Sequence, residues 1–190
     1  MISYEQALSK LSLSEKWVDY EIVSMDDIRL YAQEALDNHT IVDHTGSYFL
    51  YKFLESIYKL SKKQVGNYID IVLSEIDQGQ IYDCLSWLME SNALSLDLLL
   101  SLNNCDFIGK YNLKNQYKRC YFIKRLEDYS ADSALLFEAI DSDDPKVQSK
   151  VLEIFGDRIE VLERLADRGV NKKIRNISKE KLRKKIGTGR

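Results

Sequence analysis

One proline and eight glycines in 190 residues leave this chain few ways to reverse direction sharply. A β-sandwich or barrel of this size needs many Gly, Pro and Asn turn signals, and few are present. What the chain has instead is apolar spacing of helical period. Val65, Tyr68, Ile69, Val72, Leu73 and Ile76 recur at intervals of three and four, which places them on one helical face. Ile81, Cys84, Leu85, Leu88 and Met89 repeat the pattern, as do Leu50, Phe53, Leu54 and Ile57. Start signals stand where these faces need them: Ser3 before Gln6, Ser24 before Asp27, Ser61 before Gln64. Asn38, Gly79, Asn92, Asn103-Asn104, Gly109, Gly156 and Gly169 read as stops.

These signals predict helices near 3–11, 14–22, 24–37, 47–60, 62–77, 80–91, 95–102, 114–128, 132–141, 145–155, 157–168 and 171–185. Trp17–Val23 and Tyr121–Ile123 are rich in aromatic and β-branched residues but have no partner strand, so they read as helical too. Short connections make sequential helices antiparallel neighbours. The longest irregular stretches are 38–46 and 103–113, and neither has linker composition. The expected fold is therefore all-α, a single helical domain over 1–190, with antiparallel helix pairs stacked as a solenoid or packed as an irregular bundle.

Apolar residues make up 45% and charged residues 30%, a globular rather than disordered composition. No apolar run approaches the roughly 20 residues that span a bilayer, and MISYEQALSK does not read as a signal peptide. Cys84, Cys105 and Cys120 are odd in number, widely spaced and without a CxxC pair. They read as buried free thiols in a reducing cytoplasm, not as a disulfide framework or a zinc site. The net charge of −3 hides a strong asymmetry. Residues 1–100 hold seven Lys/Arg against sixteen Asp/Glu, and residues 101–190 hold twenty against fourteen.

The stretch from Asp143 to Arg183 carries the most organised pattern. Asp144-Pro145 opens a helix with an acidic cap and proline at its first position, and Val147, Val151 and Phe155 follow at steps of four. Twenty-seven residues after Val147, the steps recur as Ile174, Ser178 and Leu182, with Arg175 directly after Ile174. Over residues 132–185 the chain resembles HEAT repeats, with Gln148 standing where that family's first copy would carry arginine. The resemblance implies a helical solenoid whose stacked pairs offer a concave binding surface, and it implies no catalytic residue.

Enzymatic constellations find little support. His39, His44 and Asp43 could ligate a metal, but the histidine spacing does not put both on one helical face. They read as polar loop residues capping the helix near Ser47. There is no GxSxG, no P-loop and no GxGxxG. Asp26-Asp27 and Asp143-Asp144 sit at helix starts, where carboxylates cap N–H groups. No catalytic, metal or cofactor residue is assigned, and no cofactor is expected.

Two functional expectations remain. The first is a non-enzymatic protein-interaction module in the cytoplasm, of adaptor or inhibitor/immunity type, consistent with twelve tyrosines and two tryptophans. Tyr48, Tyr51, Tyr58 and Tyr68 read as packing residues, and Tyr31, Tyr82, Tyr111 and Tyr129 as less inward. The alternative is a nucleic-acid-binding helical-repeat protein, extending to a DNA-repair glycosylase-type enzyme, using basic segments 110–125 and 171–185. Lys118, Arg119, Lys172, Lys173, Arg175 and Lys179 are the candidates for binding phosphates or an acidic partner.

Overall fold

The computed structural model describes residues 2–37, 44–128 and 132–187. Among them the secondary structure is entirely helical. The helices are α1 (Tyr4–Leu11), α2 (Lys16–Asp19), α3 (Met25–Asp37), α4 (Thr45–Ser56), α5 (Lys62–Glu75), α6 (Gln78–Glu90) and α7 (Leu96–Ser101). They continue with α8 (Asp106–Lys110), α9 (Lys114–Glu127), α10 (Ser133–Ile140), α11 (Pro145–Phe155), α12 (Ile159–Arg168) and α13 (Lys172–Gly187). The chain gathers into two compact units, 1–113 and 114–190.

Local chemistry sets the helix starts. Ser3 with Gln6 and Ser61 with Gln64 close reciprocal capping boxes, satisfying N–H groups that a helix start leaves free. Asp144 caps α11 by accepting from the backbone N–H of Lys146 and Val147, with Pro145 at the first helical position. Gly156 and Gly169 stand at the C-caps of α11 and α12 as expected, Asn38 lies outside the described residues, and two of the other stops differ from expectation. Gly79 lies in the first turn of α6 and Gly109 inside α8. The left-handed positions are held by Ser12, Glu21, His44, Asn112 and Asp143, and no glycine adopts positive φ. Glu21, at φ 57°, follows α2 and limits the predicted 14–22 helix to Lys16–Asp19. The stretch 103–113, read as irregular, contains α8.

In the N-terminal unit α1 packs on α3, while α6 packs on both α4 and α5. Tyr68 is buried in α5, and its hydroxyl donates to the Cys84 carbonyl at 2.9 Å. Ile71 is buried on α5 while Leu73 is largely exposed, so the buried face is rotated from the predicted one. Trp17 is fully buried, and its indole N–H donates to Glu75 Oε2 at 2.6 Å. The same carboxylate accepts from the Ser14 N–H and hydroxyl. Asp70, one turn earlier on α5, accepts from Lys16 Nζ and the Tyr20 hydroxyl, each at 3.1 Å. Two α5 carboxylates thus hold the segment 14–20. Gly46 permits α4 to begin against this indole, since a Cβ there would sit 2.7 Å from Ile76 Cδ1 and 3.2 Å from the Trp17 ring.

In the C-terminal unit α11 touches α9, α10, α12 and α13, and α10 touches α12. Alternate helices therefore lie side by side, α9–α11–α13 in one layer and α10–α12 in the other. Leu136, Ile140, Val147, Val151, Leu162 and Leu165 form the centre of the core between them. Gln148 is fully buried among these apolar residues. Its amide nitrogen donates to the Ile140 carbonyl at 2.5 Å, and its carbonyl accepts from Val170 N–H at 2.7 Å. One side chain thus joins the end of α10 to the approach to α13. No helix among the described residues is long and apolar enough to cross a membrane.

Candidate functional site

All six sequence-chosen basic residues fall in the C-terminal unit, and they divide by environment. Arg119 is half-buried and donates through Nε to Asp144 Oδ2 at 2.7 Å and through Nη1 to Gln116 Oε1 at 3.0 Å. Arg175 donates to the Gly169 carbonyl at 2.5 Å, closing the C-terminal end of α12. These two guanidiniums therefore hold the fold together. Lys118 is exposed, its Nζ 5.7 Å from the Phe122 ring centroid. Lys172, Lys173 and Lys179 are exposed and carry no ion pair among the described residues. At 100° per residue, Lys172, Lys179 and Arg183 share one outward face of α13. Lys184 is drawn aside by Glu180 at 2.6 Å, and Lys185 donates to the Asp157 carbonyl. On α11, between α9 and α13, Lys150 bridges Glu127 at 3.0 Å and Glu153 at 3.2 Å. The surface between the two basic helices is therefore ion-paired in part, not uniformly cationic.

Asp144 is the centre of this arrangement. Burial pushes its carboxyl up, but the Arg119 bond, the Val147 and Lys146 N–H bonds and the guanidinium charge outweigh burial and hold it below the usual range. Asp141 is also held low, mainly by its bond to Arg164, against some desolvation. Both groups favour the ionised form in the folded state. Their stabilisation is complete above about pH 4, the unfolded carboxylate range, and is lost as pH falls through the lower folded values. Asp144→Ala, which removes a helix cap and an ion-pair partner, is expected to cost about 2 kcal/mol. Urea unfolding at neutral and acidic pH checks this. The variant should lose less stability on acidification than the unmodified chain.

A different site lies in the N-terminal unit. The outward face of α3, the turn before it and one flank of α4, running from Tyr48 to the buried Phe49 and Phe53, line a groove of about 970 Å³. Its apolar surface includes Met25, Leu30, Tyr31, Tyr48, Phe49 and Phe53. Leu30 is 60% exposed, Met25 46% and Tyr48 43%. Tyr31 stacks on Tyr48 with ring centroids 5.5 Å apart and meets Phe49 edge-on at 5.4 Å. Glu21, Asp26, Asp27 and Glu34 stand around it, and Lys52 is the one cation among the described residues that line it. Lys52 is itself held by Glu55 at 3.0 Å. That ion pair raises the Lys52 pKa, and the lysine bond, with a second from Tyr51, lowers that of Glu55. A second groove of about 830 Å³ shares Ile57 and is lined by Tyr51, Tyr58 and Trp87. Tyr51 meets the Trp87 ring edge-on at 5.6 Å.

The tyrosines correct the sequence reading. Tyr68 is buried as expected, but Tyr48 and Tyr51 are largely exposed and Tyr58 is 96% exposed. The signal was present. The Leu50, Phe53 and Leu54 face puts Tyr48 on the far side of the α4 wheel and Tyr51 at its flank, and Tyr58 lies beyond the end of the helix. His39, Asp43 and Tyr129 lie outside the described residues. His44 is exposed at φ 73° and contacts Gln80. None of the three cysteines is in a disulfide; Cys84 and Cys120 are buried as expected, but Cys105 is only half-buried. Cys84 is buried in α6, and burial, with Asp83 adding, pushes its thiol up to about 12, so it is not activated as a nucleophile. No family model matches the chain, and neither a curated protein nor a solved structure is similar to it.

Proposed function

We propose that the chain is a non-enzymatic protein-interaction module acting in the cytoplasm, and that the α3–α4 groove is where it takes its partner. The observation that carries this is the exposure of Met25, Leu30 and Tyr48 side by side in one concave, acid-rimmed site. Large apolar side chains gathered in a groove are unusual for a surface with no occupant, and aromatic residues supply stiff contact area at interfaces. An adaptor and an inhibitor would both use such a site. The alternate layering of α9–α13 is in keeping with a HEAT-like stack, a fold class that displays surfaces rather than performing chemistry.

The test compares capture from native lysate by the unmodified chain and by Met25→Ser with Leu30→Ser, both largely exposed positions. A stoichiometric partner retained by the first and lost by the second is expected. Equal capture by both would remove the groove from the interaction.

A second reading, nucleic-acid binding, is favoured by the α13 row of Lys172, Lys179 and Arg183, which have no acidic partner among the described residues. It predicts that labelled single- and double-stranded DNA and RNA bind with strong salt dependence. Neutralising these three residues should then weaken binding to every sequence alike. Absence of binding at low salt, read by fluorescence anisotropy, would eliminate it.

A further inference from the structure

We infer that the occupant of the α3–α4 groove is a cationic amphipathic helix of a partner protein, an inference that rests on the groove being the docking site. Charge complementarity selects it. Four carboxylates line the groove against one lysine, and that lysine is already bonded to Glu55. Among the described residues Glu21 and Glu34 form no ion pair, and Asp26 has only Arg29, at 4.0 Å. On the α3 wheel Asp26, Leu30, Glu34, Asp27 and Tyr31 fall in one continuous sector, beside the buried Ile28, Ala32 and Ala35. The helix therefore presents carboxylates and apolar groups alternately to the same occupant. The opposite wall, Tyr48 and Phe49 on α4, is aromatic.

An apolar floor between acidic rims fits a segment with apolar anchors at helical spacing and lysine or arginine on its flanks. An anionic helix would face uncompensated carboxylates on the rim. An extended strand has no sheet edge to join, since the described residues contain no strand. Glu21 lines the groove from the turn after α2, where its backbone is held at positive φ.

The experiment uses the full chain and three labelled synthetic peptides of about 18 residues, roughly five helical turns. One has leucine on one face and lysine on the other. The second replaces lysine by glutamate. The third scrambles the first. Anisotropy is read at low and high salt. The Leu/Lys peptide is expected to bind best and to weaken with salt. Glu21→Gln, Asp26→Asn and Glu34→Gln together should weaken it about tenfold and flatten the salt dependence, as expected for three exposed ion pairs. Met25→Ser with Leu30→Ser should weaken it at every salt concentration. Equal or tighter binding of the Leu/Glu peptide in the same groove would overturn the cationic assignment while leaving the docking site in place. Self-association abolished by the Met25/Leu30 variant would assign the groove to a second copy and overturn it too. Peptide binding indifferent to all groove variants would overturn it, and only groove-independent capture of the natural partner would also remove the docking site.

Discussion

Replacing Trp17 with alanine is expected to lower the unfolding free energy by about 4 kcal/mol, a large share of the roughly 5–15 kcal/mol that holds a domain of ordinary size. The indole is wholly excluded from solvent, so its removal leaves a cavity as well as losing transfer free energy. Glu75 would also lose the indole N–H, while still accepting from Ser14. Trp17→Phe separates the two contributions. It keeps most of the apolar volume and loses the hydrogen bond, and should cost about 1–2 kcal/mol. Urea unfolding followed by circular dichroism measures both, leaving Trp87 as the fluorescent reporter. A loss below about 1 kcal/mol for the alanine variant would mean that Trp17 does not organise the 14–20 segment. Because the turn after α2 delivers Glu21, Ile22 and Val23 to the groove, the destabilised variant should also loosen that wall.

Gln148→Ala is expected to cost about 3 kcal/mol, the second of the large effects. It orphans the Ile140 carbonyl and the Val170 N–H in a site with no solvent, and it leaves a void in the centre of the two-layer stack. Gln148→Glu gives a sharper signature. The glutamate can accept from Val170, but only its protonated form can donate to Ile140. Burial raises the folded-state pKa of such a group. Its contribution is therefore present below about pH 4, the unfolded glutamate range, and lost as pH rises. The deficit of Gln148→Glu relative to the unmodified chain should shrink on acidification, whereas that of Gln148→Ala should not. A glutamate variant as stable as the unmodified chain at pH 7 would show that the site admits water.

The helices themselves were legible because a 3.6-residue period and a serine or aspartate cap are local facts. The capping boxes at Ser3 and Ser61 and the Asp144-Pro145 start all form where their spacing puts them. Turn positions were less legible. The left-handed sites are Ser12, Glu21, His44, Asn112 and Asp143; histidine, asparagine and aspartate favour this conformation among non-glycine residues, but Ser12 and Glu21 carry no such mark. Gln148 stood in the sequence only as a departure from a repeat pattern. Its two backbone partners lie eight and twenty-two residues away, and only folding brings them together.

Functional residues were harder still. Basic character alone could not distinguish Arg119 and Arg175, which close hydrogen bonds inside the unit, from Lys172 and Lys179, which face solvent. The groove was invisible for another reason. Its walls come from the α2–α3 turn and from α4, separated by more than a helix in sequence, and its depth is a product of their packing. The α4 wheel did carry part of it, because Tyr48 lies opposite the core face.

The most direct measurement is hydrogen–deuterium exchange of the chain alone and bound to the partner captured from lysate. Added protection over 22–34 and 48–57 is the predicted result, since those segments carry both walls of the groove. Protection confined to 172–183, with the groove exchanging as in the free chain, would contradict it and move the binding surface to the cationic face of α13.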